Sequence, residues 1–295
     1  MVVNGYPHVP RILRQIGWPI TVVIAVSLAV VTLERKGMLE RVSVPSVTAT
    51  VLGVSLSILL GFRTNSAYAR WWEARTLWGA MVNSSRSIAR QAMAYVGDPT
   101  TARRLVRLQI AFVHAARCAL RRQEPWSDVD PFLEPPFAGS LRGQVNVPAA
   151  ILMQMGREAA DAAAAGQLSE WRLERIDSTL TDLSNVIGGL ERIKNTPLPR
   201  QYDVYPELFI YLYCLVLPIA LVDDSKLVTP VLCVLVAAAF LVVNQVGKNL
   251  EDPFENRPYD VPMSALSRTI EINLRQAMGE TDVPEPPKPD RGVLW

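Results

Sequence analysis

The chain has 295 residues, with 30 Lys plus Arg against 28 Asp plus Glu, a net charge of +2 at neutral pH and 49% apolar residues. So even a balance leaves no electrostatic footprint for nucleic acid, and no recognition module is visible, so no nucleic-acid partner is expected. Two histidines, His8 and His114, and three scattered cysteines, Cys118, Cys214 and Cys233, exclude a His-x-x-x-His zinc motif, a disulfide framework and a Cys-x-x-Cys redox site. Glycine-rich phosphate loops, Gly-x-Ser-x-Gly and His-Glu-x-x-His are also missing, and Gly188-Gly189 alone makes no phosphate cradle. Neither an enzyme nor a cofactor or metal site is called for.

Distribution is more informative than bulk composition. Four stretches carry no charge: Gln15 to Leu33, Val42 to Phe62, Leu208 to Val222 and Leu227 to Gly247, of 19, 21, 15 and 21 residues. A bilayer core needs about 20 helical residues, so three are long enough and the third is somewhat short. Buried helices of a soluble protein are the competing explanation, though four such runs seldom coincide there. The runs pair into two helical hairpins. Basic flanks follow them: Arg11 and Arg14 before the first, Arg63, Arg70 and Arg75 after the second, Arg192, Lys194 and Arg200 before the third, Lys248 after the fourth. The positive-inside rule then puts both termini and the middle segment in the cytoplasm, and the long first run, with no small-residue cleavage site before Glu34, does not resemble a cleaved signal.

The expected organisation is 1–62, an N-terminal segment and the first transmembrane hairpin; 63–204, a cytoplasmic helical region; 205–247, the second hairpin; and 248–295, a cytoplasmic C-terminal segment. Within the middle region Arg63 to Val96 continues the second run as helix, and Thr101 to Arg122 is a separate amphipathic helix beyond the Gly97-Asp98-Pro99 break. The prolines at 125, 131, 135 and 136 interrupt the pattern, and further helix starts near Val147 and runs in two segments to Lys194. Arg63 to Arg122 holds eleven bases and two acids, Gln123 to Asp203 seven bases and twelve acids. These halves either pair within a folded domain or leave a basic vestibule or lipid-facing surface. The Pro-rich 284–291 segment is expected to be disordered or extended along a neighbour.

The second run carries two stripes. Gly53, Ser57 and Gly61 repeat every four residues as a small-residue face that admits a close neighbour. Thr50, Val54, Ile58 and Phe62 repeat likewise, rotated by about 100°. This second stripe either faces a shared axis, as hydrophobic rings that gate by dewetting, or simply meets lipid or core.

At these residues the chain resembles the bestrophin family, in its bacterial branch. The resemblance rests on LGFRTNSAYARWWEARTLWG (Leu60 to Gly79), ERIKNTPLPRQY (Glu191 to Tyr202) and EDPFENRPYDVP (Glu251 to Pro262), and spans roughly Val9 to Gly279. It implies an all-α integral membrane protein, a bestrophin-like homopentamer in the cell's inner membrane, with one central pore passing monovalent ions. The neck falls on Val54, Ile58 and Phe62, with Val54 smaller than the Ile or Phe usual in the family. A cytoplasmic aperture falls at Thr196-Pro197-Leu198, with Thr196 the first choice over Leu198. Animal relatives pass chloride and bacterial ones are taken for sodium-like cation channels, so ion sign stays open. A calcium clasp like that of animal relatives is not expected, because Asp252-Pro253-Phe254 is followed by Glu255, Asn256, Arg257 and Pro258 rather than an acidic run. Arg70, Trp71, Trp72 and Trp78 are expected to serve structure rather than permeation. The partners implied are other copies of the chain, membrane lipid and the permeating ions; the rival classes are a non-conducting membrane scaffold or regulator, and a membrane enzyme.

Overall fold

A computed structural model describes residues 1–2, 9–38 and 44–295, with residues 9–13 and 224 as backbone only. His8, the Arg11 side chain and residues 39–43 of the first interhelical loop, Arg41 included, lie outside the described residues. In chain order the helices are α1 (Val9–Arg35), α2 (Ser46–Tyr95), α3 (Pro99–Arg121), α4 (Trp126–Val129), α5 (Pro135–Leu141), α6 (Val147–Ala164), α7 (Glu170–Asn195), α8 (Gln201–Ser225), α9 (Thr229–Glu251) and α10 (Met263–Ala277). Among the described residues the uncharged runs are helical apart from Val44 and Pro45, which precede α2, and Leu227 and Val228, which stand in a 3-10 turn; α1 and α8 extend past their runs at both ends, α2 and α9 at the C-terminal end, where the flanking charged residues are good helix formers. Among the described residues four helices are long and apolar enough to cross a membrane: Arg14–Arg35 within α1, α2, Gln201–Asp223 within α8, and Lys226–Glu251, which contains α9. The chain is an all-α membrane protein.

Residues 9–38, 44–71 and 197–252 form one compact unit, the spanning unit. There α8 and α9 are antiparallel neighbours joined by a single 3-10 turn, Lys226–Val228, and α1 packs against both. The packed interior draws Ile16 and Val23 from α1, Ala49, Leu56 and Leu60 from α2, Ile210 and Leu217 from α8, and Ala237 and Leu241 from α9. Cys214 and Cys233 sit in it as free thiols, and their role is packing. Lipid is as apolar as these side chains, so close fit and polar contacts hold such helices together more than area removed from water. Pro19 in α1 and Pro206 and Pro218 in α8 lie inside helices, a pattern membrane spans tolerate. Several hydroxyls along the apolar stretches donate to carbonyls one turn back, Thr21 to Gly17, Thr50 to Ser46 and Ser57 to Gly53 at 2.9, 3.1 and 2.8 Å, and these three are satisfied without water.

Residues 1–2, 72–196 and 253–295 form the other unit, the bundle unit. Its central helix, α3, begins where the Gly97-Asp98-Pro99 break was read. Asp98 caps it, accepting from the Thr101 N–H at 2.9 Å and the Thr101 hydroxyl at 2.7 Å, and Pro99 occupies its first turn. It ends at Arg122 in the left-handed conformation, whose N–H returns to the Ala119 carbonyl. α6, α7, α4 and α10 all pack on α3, which buries residues almost all round, polar Gln109 and His114 among them. The Gln109 amide nitrogen donates to the Ser85 hydroxyl at 2.8 Å.

The Pro-rich interruption is partly helical, because its prolines stand in first turns, where a missing N–H costs nothing: Pro131 opens a 3-10 turn and Pro135 and Pro136 open α5. α10 was not anticipated. Residues 280–289 carry no regular secondary structure. Basic and acidic halves of the middle segment do pair, through Arg104 with Glu134 and Glu158 and Arg117 with Asp128.

Candidate functional site

Along α2 the buried residues recur at spacings of three, four or seven, all on one helix face: Ala49, Leu56, Leu60, Arg63, Ala67, Ala74, Trp78 and Met81. Ile58 stands two residues from both Leu56 and Leu60, about 200° around the helix, so it lies opposite the packed face. Its stripe is open along its length: Val54, Ile58 and Phe62 are 56%, 55% and 63% exposed. Thr50 heads the stripe with its hydroxyl turned back onto Ser46. The small-residue stripe divides. A side chain at Gly53 would meet the Tyr213 hydroxyl of the same chain at 3.0 Å, whereas at Gly61 it would meet nothing within 4 Å, and Ser57 is exposed. Gly53 thus serves packing inside the chain, and the lower half of the stripe is left open.

Next to Phe62, turned onto the packed face, sits a side chain the sequence reading used only as a topological flank. Arg63 is 1% exposed. Its guanidinium donates to the Asn244 carbonyl at 3.1 Å and to the Asn244 side-chain oxygen, and to Asp203 at 2.7 Å, with Glu251 at 3.7 Å. One cation therefore ties α2 to the start of α8 and the end of α9. Gly247 lies against it, where an added Cβ would just touch an Arg63 nitrogen at 3.4 Å. A buried charge needs such partners, as desolvation otherwise costs several kcal/mol. The available signal was Arg63's place on the same three-four stripe as Leu56, Leu60 and Ala67.

The remaining motif residues act in different ways. Arg70 donates to the carbonyl of Glu251, the last residue of α9, at 2.8 Å, closing that helix end. Trp78 is fully buried, Trp71 half-buried and Trp72 exposed. Thr196 terminates α7 with its N–H on the Arg192 carbonyl at 3.0 Å and is exposed; Leu198 lies in the link before α8, half-buried. In the bundle unit Glu255 accepts from Lys194 at 2.5 Å and Asp260 from the Arg257 N–H at 2.8 Å. Among the described residues no group of three or more His, Cys, Asp or Glu side chains is arranged to hold a metal ion.

A second buried polar group also escaped sequence reasoning. His114 Nε2 and Glu271 Oε2 are 2.9 Å apart, both nearly fully buried, with Arg268 on Glu271 at 2.6 Å and Arg275 at 3.6 Å. Burial alone would raise the Glu271 carboxyl, but the His114 hydrogen bond and the two guanidinium charges outweigh it and hold it below the usual carboxylate range.

Four membrane-length helices, a long second helix with one packed and one open apolar face, and a helical bundle define an all-helical multi-pass membrane protein of the bestrophin architecture. The sequence profile of the family described as Bacterial/Fungal Bestrophin protein matches residues 9–276. The chain belongs to that family. It is 38% identical over 242 residues to the voltage-dependent anion channel-forming protein YneE of Salmonella typhi, covering 82% of this chain and 80% of the relative. A protein of the same description from Ralstonia nicotianae is 34% identical over 261 residues, covering 88% and 85%. The crystal structure of a bacterial Bestrophin homolog from Klebsiella pneumoniae superposes with a TM-score of 0.86 at 29% identity, covering 90% of this chain and 99% of that one.

Proposed function

We propose that this chain is a homopentameric channel of the inner membrane that passes monovalent anions through a hydrophobic neck formed by Val54, Ile58 and Phe62. The observation that carries the reading is the open α2 stripe, three large apolar side chains more than half exposed and opposite the face that packs. Five copies of such a stripe around one axis make three stacked rings. Neutral apolar rings hold water weakly, so their width sets conduction and the charged groups beyond them set ion sign. Anions are favoured because relatives at 38% and 34% identity carry the name of anion channel-forming proteins.

In this assembly Ser57 and the open surface at Gly61 receive the neighbouring α2. Both termini and the 63–204 region lie inside the cell, the first hairpin falls within 1–62 and the second within 205–247, and 248–295 is a cytoplasmic C-terminal segment. The outward apolar faces meet lipid. A second aperture forms at Thr196 and Leu198 after α7, where the Thr196 hydroxyl makes it more easily wetted than an aliphatic ring. Purified protein in liposomes should release chloride down a gradient, and Val54→Ala/Ile58→Ala/Phe62→Ala should release it faster. A folded triple variant with unchanged flux would remove the neck from these positions.

A further inference from the structure

In the bundle unit a concave pocket of about 540 Å³ opens between α3 and the 132–137 segment that leads into α5. Its apolar wall is Leu108, Phe132, Leu133, Pro135 and Phe137, fixed by the prolines that set the first turn of α5. Its polar wall is one strip of α3, where Thr100, Arg103, Arg104 and Arg107 follow helical spacing on a single face. The size is that of a small-molecule site, and Glu134, Gln154 and Glu158 complete a lining divided between an apolar and a polar side.

The three guanidiniums are not equivalent. Arg104 is already neutralised, with Glu134 at 2.9 Å and Glu158 at 3.1 Å. The Glu158 hydrogen bond, outweighing desolvation, raises its pKa, so it stays a fixed cation braced between two carboxylates. Arg107 gives one N–H to the Pro131 carbonyl at 2.9 Å and has no carboxylate within ion-pair distance among the described residues. Arg103, exposed, has neither hydrogen bond nor ion pair among them. Arg103 and Arg107 stand at i and i+4, a like-charge pair that is unfavourable on a helix. Two guanidiniums without a carboxylate partner among the described residues, Arg103 wholly free and Arg107 with N–H groups to spare, stand beside an apolar cleft and match a carboxylate, which accepts bidentate bonds from guanidinium.

We propose that this pocket binds a small amphipathic monoanion, an aryl or short-chain carboxylate, with its apolar body against Phe132 and Phe137 and its carboxylate on Arg103 and Arg107. A polyanion such as a nucleotide is disfavoured, because Glu134 and Glu158 share the cavity and only two cations are uncommitted. A neutral molecule leaves both guanidiniums unmatched. Bound there, the ligand bridges α3 to the α5 segment. The proposal concerns binding alone and stands whether or not the chain conducts.

The test is isothermal titration of the full-length detergent-solubilised protein with 3-phenylpropionate and with its uncharged counterpart 3-phenylpropionamide. The parent should bind the carboxylate at least tenfold more tightly than the amide. Arg103→Gln/Arg107→Gln should weaken the carboxylate about tenfold or more, roughly one charge-assisted hydrogen bond. Phe137→Ala should weaken carboxylate and amide alike, and exposed Arg175→Gln, outside the pocket, should change neither; a melting curve confirms that each variant is folded. No binding to the parent at millimolar probe, equal binding of acid and amide, or an unchanged affinity in the folded double-arginine variant would each overturn the proposal.

Discussion

Replacing Arg63 by Met separates a structural cation from a merely topological one. The substitution keeps length and apolar volume but leaves the Asn244 carbonyl and side-chain oxygen, and Asp203, without their shared donor. A buried acceptor stripped of its partner costs about 1–3 kcal/mol. Asp203 is 47% exposed, so its ion pair is screened and adds at most about 1 kcal/mol. The sum, about 1–4 kcal/mol, corresponds to a melting-temperature drop of roughly 2–16 °C at about 2–4 °C per kcal/mol. The assay is thermal unfolding of purified protein in one detergent, with a second variant, Arg63→Met/Asn244→Leu. Removing both partners should recover part of the loss, because a paired deletion leaves less unsatisfied than a single one. If Arg63→Met melts within 1 °C of the parent, or the double variant melts no higher than the single, the buried network does not hold these helices together.

Three further outcomes follow from the geometry. Gly61→Leu, which meets nothing within the chain, should leave the protomer folded yet abolish pentamers in native mass spectra, whereas Gly53→Leu should damage the fold itself against Tyr213; a normal Gly61→Leu pentamer would refute the assembly face. Glu271 titrates below its unfolded value of about 4.3, so its stabilising effect is complete above that pH and is lost as pH falls through the lower folded value; the parent's melting temperature should therefore fall more steeply than that of Glu271→Gln between roughly pH 5 and pH 3, and parallel profiles would contradict the pairing. Calcium should shift neither melting nor current between chelator and millimolar levels, because Glu255 is engaged by Lys194 and Asp260 by the Arg257 N–H; a site at 100 times its Kd would add about 2.7 kcal/mol, which a melt would detect.

What the sequence made legible was whatever is written locally. The α2–α3 break is spelled by Gly97, Asp98 and Pro99, and the division between α6 and α7 falls inside the stretch from Val147 to Lys194 read as two segments. The uncharged runs mark the spans directly. α10 was missed because its buried stripe mixes Met263, Ser267, Ile270, Glu271 and Leu274, so a polar hydroxyl and a carboxylate break the apolar period. The pairing of His114 with Glu271 joins residues 157 positions apart, and Arg63 meets Asn244 across 181; no local pattern encodes either. The α2 stripe was legible as a periodicity, and its openness needed the fold, which identifies Leu56 and Leu60 as the packed side.

The central claim is an anion-passing neck at Val54, Ile58 and Phe62. Its most direct test is the reversal potential of purified protein in planar bilayers under a potassium chloride gradient, for the parent and Val54→Ala/Ile58→Ala/Phe62→Ala. The account predicts currents that reverse near the chloride equilibrium potential, with conductance raised in the triple variant and ion sign unchanged. Reversal near the potassium equilibrium potential, or a folded triple variant conducting like its parent, would contradict it.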